Sequence, residues 1–60
     1  MEVITVKTEE LIENDIIASD LYVGSRLLLA RGSIVTNQII SSLRRQKIGN
    51  VQIYEQLKAL

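Results

Sequence analysis

The residues of this chain that could do chemistry are hydroxyls, carboxylates and arginines, because it contains neither His nor Cys. A serine nucleophile at Ser19, Ser33, Ser41 or Ser42 would need a lysine or carboxylate as its base, and Ser19-Asp20 places one such pair side by side. No third group is spaced to orient that pair, so the serines read as capping and solvating groups. The carboxylates Glu9, Glu10, Glu13, Asp15 and Asp20 are denser. On a helix Glu9 and Glu13 would share a face and could hold a hard cation. The alternating Asp/Asn ligands and closing Glu of a calcium loop are missing, however, and a solvated acidic face is expected. Gly24, Gly32 and Gly49 stand singly, without the Gly-rich spacing that cradles phosphate. The inventory predicts a protein that is not an enzyme, with no catalytic residue, no cofactor and no metal site.

The arginines offer a different chemistry. Seven basic residues are balanced by seven acidic ones. Nucleic-acid affinity comes largely from neutralising phosphates, so a neutral chain is a poor candidate. The one basic cluster, "RRQK" at 44–47, closes a predicted helix, where cations suit the negative end of the dipole without any ligand.

Sixty residues make a single small domain. A chain of that size buries only about 60% of its unfolded surface and usually needs a disulfide, a metal or a partner. Without Cys or His the remaining option is a partner, either a second copy of the chain or a neighbouring domain. The apolar fraction of 47% supports a packed core, nearly all of it aliphatic, with Tyr22 and Tyr54 the only aromatic residues. No apolar run approaches the roughly 18 residues of a membrane span, and the acidic "MEVITVKTEE" lacks signal-peptide character. A cytoplasmic protein is expected.

The elements that must position these side chains can be read in order. "EVITVKT" (2–8) is rich in β-branched residues and predicts a strand. Leu11 and Ile12 could anchor a single turn, and Asn14-Asp15 predicts a tight turn because Asn tolerates the left-handed backbone. "IIASDLYV" (16–23) and "RLLLA" (26–30) flank Gly24-Ser25, a two-residue hairpin signal. After a turn at Arg31-Gly32, "SIV" predicts another short strand. Thr36 is a good helix N-cap, and Val35 and Ile40 are spaced for a hydrophobic staple. The helix is expected over about 37–47, burying Ile39, Ile40 and Leu43, with Gly49 as its left-handed stop. "NVQIYE" predicts a last strand with Val51 and Ile53 on one face, and 56–60 reads as a tail or linker. The fold class is therefore α+β: a mainly antiparallel unit of about four to five short strands with one helix.

Leu27, Leu28 and Leu29 cannot all face one side of a regular strand. Either both faces of that strand are covered or one leucine sits in an interface. Tyr22, Leu27, Leu28 and Leu29 are therefore the candidate interface, with burial in the core as the alternative for each.

The string from Leu11 to Glu55 resembles the segment that precedes the catalytic domain in bacterial HD-GYP-type phosphodiesterases and related signalling proteins. The resemblance rests on Leu11, Asn14-Asp15, Ile17-Ala18, Asp20-Leu21-Tyr22, Leu28-Leu29, Gly32, Val35-Thr36, Ile39, Leu43, Ile48-Gly49, Val51 and Ile53. Asn14 stands where that pattern has glycine. The His-Asp pairs and the Gly-Tyr-Pro signature of the family's catalytic domain are absent from this chain. The resemblance thus implies only an accessory, dimerising or regulatory role, as a homodimer or docked on another protein domain. Two other readings use the arginines. The 31–55 string also resembles half of an AbrB-like swapped-hairpin DNA-binding dimer, in which Arg26, Arg31, Arg44 and Arg45 would contact phosphates. A cyclic dinucleotide held by Arg26 and Arg31 is the third.

Overall fold

The computed structural model describes residues 2–55. Four strands and one helix make up an α+β unit: β1 (Val3–Lys7), β2 (Leu21–Val23), β3 (Arg26–Leu29), α1 (Asn37–Arg45) and β4 (Asn50–Tyr54), with a 3-10 turn, Thr8–Glu10, after β1. The fold class matches the expectation from sequence. The tail at 56–60 lies outside the described residues.

β1 and β4 pair antiparallel, Ile4 opposite Ile53 and Val6 opposite Val51. Alternation puts Val51 and Ile53 on the buried face of β4 and leaves Gln52 exposed, as a period-two pattern requires. The predicted strand over 16–23 is broken: only Leu21–Val23 qualifies, and "SIV" contributes a single bridge rather than a strand. The reason is that Ile16 and Ile17 serve two neighbours at once. Tyr54 N–H donates to the Ile16 carbonyl at 3.0 Å and Ala18 N–H to Gln52 at 2.9 Å. On the other side Ile17 N–H donates to Ser33 at 2.9 Å, and Gly32 N–H to Ile17 at 2.7 Å. Asp15–Ala18 is thus clasped between β4 and the 32–35 segment. Such double bonding needs the segment at the centre, where Ile17 and Ala18 are buried.

The core is one aliphatic cluster of Leu11, Ile17, Val35, Leu43, Val51 and Ile53, with Ile39, Ile40 and Ile48 packed against it. Ile12 does not anchor the turn beside Leu11: it is 62% exposed, since the pair faces opposite ways and only one place in the core is open. Asn14, at φ 77°, makes the left-handed turn expected of it.

Thr36 caps α1, its hydroxyl accepting from Ile39 N–H at 3.2 Å. Replacing a capping Thr with Ala costs roughly 0.5–2 kcal/mol. Thr36→Ala should therefore lower the urea midpoint without changing the slope, and an unchanged midpoint would contradict the cap.

The other helix end departs from expectation. The helix stops at Arg45, and the left-handed residue is Lys47 at φ 57°, whereas Gly49 has no positive φ. Ile48 N–H donates to Leu43 at 3.1 Å and Lys47 N–H to Arg44 at 3.0 Å. This six-to-one and five-to-two pair of bonds is the Schellman motif, and it fixes the left-handed position two residues before the glycine. Burial sets that phase: Leu43 is fully buried, and Ile48 must fold back to pack against the same cluster.

Candidate functional site

The hairpin β2–β3 turns on Gly24-Ser25, with Val23 opposite Arg26. Gly24 has φ 63° and Ser25 is not left-handed, the arrangement of a type II′ turn that matches strand twist. Its open end is closed by Asp20, whose carboxylate accepts from Arg31 N–H at 2.7 Å.

The three leucines are accommodated by an irregularity. Tyr22 faces Leu27 but Leu21 faces Leu29, so Leu28 is an extra residue in β3. A bulge of this kind interrupts strict alternation. Leu28 and Leu29 are both half-buried and both pack against the core cluster, while Leu27 stays 48% exposed opposite Tyr22 at 57%. Of the four candidate interface residues the structure therefore brings Tyr22 and Leu27 together at the surface, and turns Leu28 and Leu29 inward. Val23, also exposed, lies on the other face of the hairpin, toward Arg26 and α1. Sequence reasoning missed it because a lone valine in a strand carries no signal.

Behind the hairpin lies a cleft of about 320 Å³ between β3 and α1, lined by Leu28, Leu29, Gln38, Ile39, Ser42 and Leu43 among others. One molecule therefore carries both an exposed apolar pair and, on the inner side of the hairpin, a recess of mixed lining.

The arginines are not gathered into one site. Arg26 lines a depression with Val23, Leu28, Ser42 and Gln46, while Arg44 lines a different cleft with Lys7 and Lys47. Arg31 sits in the turn after β3 and Arg45 ends α1, and all four are exposed. Three carboxylates have backbone duties. Besides Asp20, Glu10 accepts from Lys7 N–H at 3.0 Å and Asp15 from Ile12 N–H at 3.1 Å. Glu9 lies within the short 3-10 turn and Glu13 beyond it, so the two do not share a helical face. Among the described residues no helix is long and apolar enough to cross a membrane.

No family model, curated protein or solved structure matches the chain.

Proposed function

We propose that this chain is a non-catalytic, cytoplasmic interaction module of a bacterial signalling system that works as a homodimer joined through β2–β3. The observation that carries the reading is the exposed pair Tyr22 and Leu27, directly opposite each other in the hairpin. A two-fold interface needs a surface that complements itself. The Tyr22–Leu27 pair of one copy laid against the same pair of the other meets that need. Tyr and exposed aliphatic residues are frequent interface anchors, and a domain this small gains most from extra burial. The resemblance of 11–55 to the segment preceding HD-GYP-type catalytic domains supplies the signalling context.

Sedimentation over a dilution series tests the reading. The wild type should sediment as two chains at high micromolar concentration and dissociate on dilution. Leu27→Ser should weaken association by roughly tenfold or more, the effect of losing an interface anchor. Because Leu27 is half exposed, its circular dichroism should match wild type. A wild type that stays monomeric throughout ends this reading.

A further inference from the structure

Two residue types in this fold sit where folding alone would not put them. Lys47 occupies the left-handed position of the Schellman motif, where glycine is favoured and any other L-residue is strained. Gly49, two residues later, has no positive φ, and a Cβ added there would meet nothing within 4 Å. Exchanging the two types would relieve the strain at no steric cost. Both residues line the same cleft, together with Lys7, Thr8, Glu9, Arg44 and Ile48. Strain kept at a site that also gathers charge is a reason to look for a ligand there.

We propose that this cleft binds the dianionic phosphate of a small phosphomonoester. Three cations, Lys7, Arg44 and Lys47, and one carboxylate, Glu9, line it in a chain that is neutral overall, with the Glu10 carboxylate at its edge on Lys7 N–H. The cationic excess favours a phosphomonoester, which is close to doubly charged above its second pKa of about 6. A single carboxylate or a backbone phosphodiester carries only half that charge. Arg44 brings a fork of N–H donors and the lysines bring point charges, the two modes by which proteins hold phosphate. Gly49 leaves bare backbone in the lining, so an oxyanion can approach closely.

The two walls are tied to each other. The Thr8 hydroxyl donates to the Ile48 carbonyl, and Thr8 N–H donates to Gly49 at 2.9 Å, although Thr8 and Ile48 are 40 residues apart. The backbones of Lys7 and Lys47, one position before each of those partners, are therefore held in fixed relation before any ligand arrives. The end of α1 is the negative pole of the helix dipole, which opposes an anion. The Ser42, Leu43 and Arg44 carbonyls already accept from Gln46, Ile48 and Lys47 N–H, so they are not left open to the cleft. The site shares no residue with the hairpin surface and stands or falls independently of dimerisation.

Lys47→Gly separates binding from folding, because it removes a cation and relieves backbone strain together. Amide chemical shifts would be followed at pH 7.5 and constant ionic strength, titrating inorganic phosphate and a nucleoside 5′-monophosphate against a chloride blank. Saturable shifts are expected at residues 7–9 and 44–49 with both phosphates. Lys47→Gly should raise the Tm by about 4 °C and weaken phosphate binding by about tenfold, the loss of one charge-assisted contact. Gly49→Ala, whose Cβ would meet nothing within 4 Å, should also weaken it while the fold persists. Shifts that fail to saturate or that equal the chloride blank overturn the proposal, as does a Lys47→Gly protein that binds like wild type. Tighter binding of a single-stranded oligonucleotide at the same residues overturns it in favour of nucleic acid.

Discussion

Leu43→Ala is expected to leave most of the protein unfolded at room temperature. Leu43 is fully buried on the inner face of α1 and belongs to the same cluster as Ile17, Val35, Val51 and Ile53. Truncating a buried leucine removes its transfer free energy and leaves a cavity, together costing about 2–5 kcal/mol. A domain of this length has roughly 3–9 kcal/mol of stability at ordinary per-residue values, and a single small core rarely supplies more than about 3–5. Leu43 also anchors the helix end, since its carbonyl accepts from Ile48 N–H and Ile48 packs back onto the cluster. Far-UV circular dichroism and urea titration, at matched protein concentration because association would add stability, measure the loss. A urea midpoint close to wild type would mean that the helix does not close this core.

Ala18→Pro should be comparably damaging by another route. Ala18 is buried, and its N–H donates to Gln52 at 2.9 Å, one of the bonds that hold the central segment to β4. Proline deletes that donor, leaves the Gln52 carbonyl without it, and forces a ring into a filled space. Within a sheet or helix interior such changes cost about 3 kcal/mol or more. Ala18→Gly keeps the N–H and should lose only about 1 kcal/mol, the entropic penalty of glycine plus one methyl. Chemical denaturation of the two variants side by side isolates the hydrogen bond. Equal midpoints would show that residue 18 acts through its side chain alone.

How far these features could be read from sequence depended on whether the signal was local. Thr36 followed by Ile39, Ile40 and Leu43 specified both the start of α1 and its buried face, because a cap and a 3.6-residue period lie within a few positions. Gly24-Ser25 fixed its hairpin for the same reason. The end of α1 was misplaced at Gly49, since residue type favours glycine for a left-handed cap whereas the burial of Leu43 and Ile48 puts that conformation on Lys47. The bulge at Leu28 was invisible because alternation is the very assumption by which strands are read. It nevertheless answers the puzzle of three leucines: two go inward and one stays out. The doubly bonded role of Ile16 and Ile17 depends on partners more than 15 and 35 positions away, which no local pattern encodes. The cleft of Lys7, Arg44 and Lys47 was missed likewise, because only tertiary folding joins Thr8 to Ile48.

The pairing of β1 with β4 has a consequence in time. Among the described residues β1 has no other sheet partner, and β4 lies at the far end of the described chain. During synthesis the aliphatic stretch Val3, Ile4 and Val6 is made well before β4 and waits for its complement. The central segment waits too, because one of its two neighbours is that same last strand. Long-range pairing of this kind slows folding, and unpaired strands are the segments most open to wrong partners while they wait. The β2–β3 hairpin can form as soon as it is made, whereas the β1–β4 sheet should stay open until residues 50–55 clear the ribosome.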